Sequence, residues 1–101
     1  MASTVQKLFQ PIRVGITNLQ HRVVLAPMTR NRADAQHVHG ELALEYYKQR
    51  TSTAGTLAIT EATFIAARAG GYEYVPGIWN DEQIAAWKKV RTHFPLPFLM
   101  T

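Results

Sequence analysis

Two short polar segments carry the residues whose types and spacing could do chemistry, and each follows an apolar run. The first is residues 26–30 (APMTR), after the run 22–26, and the second is residues 60–63 (TEAT), after the run 56–60. Glu61 has the chemistry of a catalytic base. A buried glutamate paired with an arginine from early in the chain is at least as good an interpretation, because structural ion pairs also perturb pKa values.

Two histidines form a second candidate group. His37 and His39 are separated by one residue, a spacing that can hold a metal ion on a strand. Their segment is polar and has no carboxylate or third ligand close by, so we expect solvated loop histidines and no metal site. The chain has no cysteine, which excludes a disulfide framework and any thiolate ligand or nucleophile.

The elements that must position these segments form a strand, helix, strand pattern. Residues Arg22 to Ala26 are a β-branched run stopped by Pro27, and Thr56 to Thr60 are a second, nearly continuous apolar run. Between them, Glu41 to Arg50 has helical spacing, with acidic and basic residues at the ends that the helix dipole favours. The apolar stripe predicted along this helix consists of Leu42, Ala43, Tyr46 and Tyr47.

This pattern predicts a βαβ unit with two adjacent parallel strands. Because the carboxyl ends of parallel strands meet at one edge, we expect Thr29 and Ala62 to lie at the same edge of the sheet. Ligands bind at that edge in barrels and in open α/β sheets.

The flanking segments complete the pattern. Residues 8–19 suit a small hairpin with its turn at 15–18, and residues 62–79 form a long segment without a clear period. Asn80 and Gln83 have the spacing of a capping box, which predicts a helix that ends near Arg91. The residues predicted to share its apolar face are Ile84, Trp87 and Val90, and the aromatic residues expected in the core are Tyr46, Tyr47, Trp79 and Trp87.

The last residues break this pattern, because Pro95 and Pro97 forbid a helix and make a central strand improbable. A βαβα arrangement with two strands leaves strand edges unpaired and an apolar face uncovered. The chain therefore reads as the opening of a larger α/β protein.

Composition narrows the class of protein. The 101 residues are 47% apolar and 18% charged, which suits one small domain or part of a larger one. The net charge is +4, and all of the excess lies in the first half, but the basic residues are scattered and not interleaved with aromatic ones, so we expect no nucleic-acid partner. We also expect no membrane partner and a cytoplasmic location, because the chain has no long apolar run and no apolar signal segment at its start.

Several segments between Leu8 and Val90 together form one extended motif. They are residues 8–15 (LFQPIRVG), 21–30 (HRVVLAPMTR), 45–50 (EYYKQR), 55–62 (GTLAITEA), 69–72 (AGGY) and 75–79 (VPGIW). In this order they resemble the start of the old yellow enzyme family in the form seen in fungi. The resemblance implies an FMN-dependent NAD(P)H oxidoreductase that reduces activated alkenes such as enones. It also implies a fold class of α/β, here the N-terminal portion of a TIM (β/α)8 barrel, with about two βα units plus a leading hairpin.

The resemblance assigns cofactor contacts to four residues. Pro27 and Met28 match positions whose backbone lies against the flavin ring, and Ala62 matches a position where the main chain meets the flavin. Thr29 matches a residue whose hydroxyl donates to a flavin carbonyl and tunes its reduction potential. Without the family context, structural roles are the favoured explanations: a strand end for Pro27, a turn residue for Thr29 and a packing choice for Ala62.

The resemblance runs from about Leu8 to Val90, so we assign residues 1–91 to the N-terminal part of an FMN-binding barrel and residues 92–101 to a divergent tail. Family members continue into a third strand with a flavin-contacting glutamine, and later supply a histidine and asparagine pair, a tyrosine proton donor and phosphate-binding arginines. No catalytic residue can be assigned here, and a complete barrel needs about 250 residues. We therefore expect a truncated reductase that is inactive and marginally stable alone. The alternative is a non-enzymatic fragment that pairs with a complementary polypeptide, or aggregates, through its open strand edges.

Overall fold

The computed structural model describes residues 6–92 and the backbone of residues 98–99. Two short sheets and two helices make up the described fold. A turn of 3₁₀ helix at Lys7–Phe9 precedes a hairpin of strands β1, Ile12–Val14, and β2, Thr17–Leu19. The predicted hairpin is confirmed.

Glycine explains the tightness of the hairpin turn. Val14 and Thr17 are paired in the antiparallel register, so only two residues connect the strands. The first of them, Gly15, has φ of +60°, the conformation that a type II′ hairpin turn requires at this position.

The second sheet holds the strands that matter for the site. Strand β3, Val24–Leu25, pairs in parallel with β4, Leu57–Ile59, and Leu25 lies opposite Ala58. The two predicted strands are therefore parallel and adjacent as expected, although each is shorter than the predicted run. Ala58 is fully buried between its neighbours.

A third parallel strand, β5, was not predicted. Phe98–Leu99 pairs with β4, so β4 becomes the central strand in the order β3, β4, β5. The expectation of only two strands was wrong. The two prolines precede β5 instead of interrupting it, so the N–H groups of Phe98 and Leu99 remain available as donors. Residues 93–97, which contain both prolines, lie outside the described residues.

Helix α1 spans Glu41–Arg50, with the predicted bounds, and lies between β3 and β4 in the chain. Its buried residues are Ala43, Tyr46 and Tyr47. The predicted stripe was wrong at Leu42, which is 69% exposed. The helix buries a narrower set of positions than the i,i+4 spacing indicated, and Leu42 lies outside that set.

Helix α2 spans Asp81–Thr92 and begins at the predicted capping box. The Gln83 N–H donates to Asn80 Oδ1 at 2.9 Å, and the Asn80 N–H donates to Gln83 Oε1 at 3.3 Å. Trp87 and Val90 are buried as predicted, whereas Ile84 is 47% exposed and does not belong to the buried face. Gln83 takes the buried place instead, and its Nε2 donates to the Gln36 carbonyl at 3.1 Å.

The core lies between the two helices and the sheet. It is built from Tyr46, Tyr47, Trp87 and Val90, with Leu25, Leu44 and Ile78 packed against them. Three of the four predicted core aromatics are therefore confirmed, and the fourth, Trp79, is half-buried. The segment between β4 and α2 has little regular structure beyond a 3₁₀ turn at Ala67–Ala69 and a bridge between Phe64 and Gly77.

Candidate functional site

The four predicted cofactor residues lie at one edge of the parallel sheet. Pro27, Met28 and Thr29 follow the carboxyl end of β3, and Ala62 follows the carboxyl end of β4. Because the two strands are parallel and adjacent, both segments emerge at the same edge. The expectation that Thr29 and Ala62 share an edge is confirmed.

The four residues present an accessible surface at this edge. All four side chains are exposed, and Met28 contributes an apolar side chain that is 44% exposed. The Thr29 hydroxyl has no hydrogen-bond partner among the described residues, so it is available as a donor. A small side chain at Ala62 leaves the main chain open to close approach. The edge therefore offers one hydroxyl donor, one exposed apolar side chain and accessible main chain.

Glu61 lies directly before Ala62 and joins the two strand ends. It is 1% exposed, and its Oε2 accepts the backbone N–H of Arg30 at 3.3 Å. Arg30 follows Thr29, so the carboxylate ties the segment after β3 to the end of β4. The carboxylate thus holds the two predicted cofactor segments against each other.

Tyr47 holds the other oxygen of this carboxylate. The Tyr47 hydroxyl donates to Glu61 Oε1 at 3.2 Å and accepts the Glu61 backbone N–H at 3.1 Å. Burial raises the pKa of Tyr47 well above its ordinary value, and the negative charge of Glu61 raises it further. The tyrosine therefore remains a neutral donor at physiological pH.

His39 completes the buried cluster. Its Nε2 lies 3.1 Å from Glu61 Oε1, and its ring packs edge-on against Trp87 with centroids 4.6 Å apart. The close Nε2 contact is not aligned as a hydrogen bond, so neither ring nitrogen has a hydrogen-bond partner among the described residues. The ring is held by packing and by its proximity to the carboxylate.

The predicted solvated loop histidines were therefore wrong. His39 is buried, and His37 is half-buried with its Nδ1 2.6 Å from the Val75 carbonyl oxygen. Their polar sequence neighbours suggested exposure to solvent, but both rings pack against aromatic side chains. The partners are Phe64 and Trp79 for His37, and Tyr47 and Trp87 for His39. Among the described residues, no three potential metal ligands come together.

The interpretation of Glu61 as the ion-pair partner of an arginine side chain was wrong. The contact with Arg30 is made by the main chain, whereas the side-chain partners are Tyr47 and His39. Sequence reasoning missed both side chains. The available signal was the requirement that a buried carboxylate have hydrogen-bond donors, combined with the position of Tyr47 on the helix between the two strands.

A cavity lies at the opposite end of the strands. Its volume is about 460 Å³, and its lining comes mainly from residues that precede β3 or β4. None of them is a predicted cofactor residue. The lining residues are Phe9, Gln20, His21, Val23, Arg50, Thr53 and Thr56.

Comparison with known proteins gives the family. The sequence profile of the NADH:flavin oxidoreductase / NADH oxidase family matches residues 7–93. The chain belongs to this family. The match contains both segments of the candidate site and the helix between them.

Individual relatives are similar over the same region. The NADP-dependent oxidoreductase lnbE of Aspergillus flavus is 57% identical over 84 residues, which are 83% of this chain and 22% of that protein. The chanoclavine-I aldehyde reductase fgaOx3 of Penicillium roqueforti is 58% identical over 84 residues, which are 83% of this chain and 23% of that protein. The chain therefore spans about a fifth of the length of the curated relatives it matches.

The fold agrees with a solved structure. The old yellow enzyme of Pichia sp. AKU4542 superposes with a TM-score of 0.79 at 45% identity, over 83% of this chain and 22% of that one. The described residues thus have the fold of a part of the old yellow enzyme barrel. Neither described helix is both long and apolar enough to cross a bilayer.

Proposed function

We propose that the chain supplies the first βα units of an FMN-dependent NAD(P)H oxidoreductase that reduces activated alkenes such as enones. The observation that carries the proposal is the shared edge of Thr29 and Ala62, which Glu61 holds together. Bound FMN would supply the chemistry of hydride transfer between NAD(P)H and the alkene. Pro27, Met28 and Ala62 would support the flavin ring through the main chain, and the Thr29 hydroxyl would donate a hydrogen bond to it.

The described chain lacks the other groups that this reaction needs. A substrate anchor and a proton donor must be held with the flavin, and no described residue at this edge is placed to act as either. We therefore expect at most weak FMN binding and no enone reduction by the 101-residue chain alone. We also expect a cytoplasmic location. We expect no nucleic-acid or membrane partner.

Amide chemical shifts test the cofactor assignment directly. The ¹⁵N-labelled full chain would be titrated with FMN, and the shift changes mapped onto the backbone. We expect changes at Met28, Thr29 and Ala62 and none in the hairpin β1–β2. The variant Thr29→Val should weaken the shift change at Ala62, whereas Thr29→Ser, which keeps the hydroxyl, should preserve it.

Two results would contradict the proposal. The first is an absence of shift changes at Met28, Thr29 and Ala62 at millimolar FMN. The second is stoichiometric FMN with measurable NADPH-dependent enone turnover, which would contradict the expected inactivity of the chain alone.

A second candidate function is supported by the sheet edges. Within the described residues, β3 pairs only with β4, and large apolar side chains are exposed, among them Ile16, which is 92% exposed, and Ile65, which is 78% exposed. Unpaired strand edges bind other strands by β-augmentation. A stoichiometric polypeptide partner, bound in the absence of FMN, would favour this non-enzymatic role.

A further inference from the structure

Three arginine side chains surround the ring of Tyr46. The guanidinium carbons of Arg30, Arg32 and Arg50 lie 5.6, 5.5 and 4.9 Å from the ring centroid. Each cation is attracted to the ring face, but the three positive charges repel one another. Within the described part of the chain, none of the three forms an ion pair with a carboxylate. We call these four residues the arginine patch.

Three carboxylates near the patch in the sequence have other partners. Glu45 accepts a hydrogen bond from the Gln49 side chain at 3.2 Å. Asp34 accepts the backbone N–H groups of Gln36 and Val38 at 2.9 and 3.0 Å. Glu61 is buried in its own cluster. No carboxylate of the described residues lies within ion-pair distance of the three guanidinium groups.

The hydroxyl of Tyr46 is a second, independent sign that the patch is incomplete. Tyr46 is 7% exposed, and its buried hydroxyl has no hydrogen-bond partner among the described residues. A buried polar group without a partner is costly and is rarely retained in a finished structure. A carboxylate seated on the patch could accept from this hydroxyl and from the guanidinium groups together.

The ring contacts place the patch away from α2. Trp87 of α2 contacts Tyr47, and Tyr47 contacts Tyr46, whose ring is then covered by the guanidinium groups. Arg30 and Arg32 also follow β3, which pairs with β4 alone among the described strands. In a closed eight-stranded barrel the first strand pairs with the last, and the first helix has the last helix as its other neighbour.

We propose that the arginine patch docks a carboxylate-bearing segment of the last βα unit of the barrel. This inference rests on the barrel of the proposed function and adds the chemistry by which the barrel closes. Guanidinium groups bind carboxylates through paired hydrogen bonds, so the contact would fix the position of the segment as well as attract it. Among the described strands, only β4 pairs with β3, and the other edge of β3 beside the patch favours a polypeptide over a free anion, because only a polypeptide can pair with a strand edge.

Co-expression tests the proposal with the full chain. The partner is the part of the Pichia sp. AKU4542 old yellow enzyme that follows its matched region, carrying an affinity tag. The test variant combines Arg30→Gln, Arg32→Gln and Arg50→Gln. The control combines Arg13→Gln, Arg22→Gln and Arg68→Gln, which removes the same charge from exposed positions outside the patch.

We expect the tagged partner to capture the unaltered chain and the control equally. Capture of the patch variant should fall roughly tenfold or more, as expected when charged pairs across an interface are lost. Added NaCl should weaken capture of the unaltered chain more than capture of the patch variant. Folding of both triple variants is checked by circular dichroism.

Three results would overturn the proposal. They are equal capture of the two triple variants, no capture of the unaltered chain, and release by inorganic phosphate well beyond that by NaCl of equal ionic strength, which would indicate a free-anion site. Capture is measured without FMN or NADPH. A failed FMN titration would therefore contradict the proposed function without affecting the capture experiment. A failed capture experiment would likewise contradict the docking proposal without affecting the FMN titration.

Discussion

The Tyr47 hydroxyl and Glu61 are joined by two hydrogen bonds that run in opposite directions. The hydroxyl donates to the carboxylate and accepts the backbone N–H of the same residue. One side chain on α1 therefore fixes both the main chain and the side chain at the end of β4. The same carboxylate accepts the Arg30 N–H, so the position of α1 is transmitted to both segments of the candidate site.

Removal of this hydroxyl should destabilise the fold. Tyr47→Phe leaves a buried N–H and a buried carboxylate oxygen without that partner, which costs about 1–3 kcal/mol. Tyr46→Phe is the matched control, because its buried hydroxyl has no partner in the described chain, so its removal should cause no loss of stability. Urea unfolding, with sucrose added to favour the folded state, measures both. Equal losses in the two variants would contradict this role of Tyr47.

The same tyrosine predicts a pH dependence at the alkaline end. The pKa of Tyr47 is raised above its usual value of about 10 because the side chain is buried. The unfolded chain therefore loses this proton first, and the stabilisation is complete below about pH 10 and declines above it. The stability difference between the unaltered chain and Tyr47→Phe should be constant from about pH 6 to 9 and should shrink above about pH 10. Unfolding curves over this range measure the difference, and a constant value above pH 10 would refute the prediction.

The capping box of Asn80 and Gln83 should contribute measurably to the stability of α2. Asn80→Ala removes the side-chain acceptor for the Gln83 N–H, and such substitutions cost about 0.5–2 kcal/mol. Asn18→Ala, at an exposed position of β2, is the control and should change stability by less than about 0.5 kcal/mol. The free energies of unfolding of the two variants test the prediction, which fails if Asn18→Ala loses as much stability as Asn80→Ala.

Local sequence patterns predicted the main helices and strands and their arrangement, which form the frame of the molecule. The parallel pairing of β3 with β4, the bounds of α1 and the start of α2 at Asn80 all follow from interactions within a few residues or from the rule for βαβ units. The shared edge of Thr29 and Ala62 follows from that frame. Sequence sufficed there because strand order and direction determine which loops meet.

Contacts between distant residues were not predictable in the same way. Glu61 meets Tyr47 and His39 through packing, and nothing in the spacing of these residues distinguishes that contact from an arginine pair. His39 lies in a polar segment, so composition predicted solvent although the ring packs on Trp87. Strand β5 forms because β4 offers it a free edge, whereas local propensity near two prolines argued against a strand.

The link from Glu61 to Arg30 can be tested at a single amide. Glu61→Leu removes the acceptor of the Arg30 N–H, so hydrogen exchange at this amide should accelerate by about tenfold or more. Glu61→Gln keeps an oxygen acceptor and should remain close to the unaltered chain. Glu45→Leu is the control, because Glu45 is exposed and bonds only the Gln49 side chain within the described residues.

A reference amide separates this local effect from general unfolding. The Phe64 N–H donates to the Pro76 carbonyl at 3.0 Å and does not depend on the carboxylate. Equal acceleration at Arg30 and Phe64 would mean that Glu61→Leu merely unfolds the chain, and the link would be refuted. Faster exchange confined to Arg30 should be accompanied by smaller FMN-induced shifts at Thr29, because the carboxylate would then be what holds that donor at the edge of the sheet.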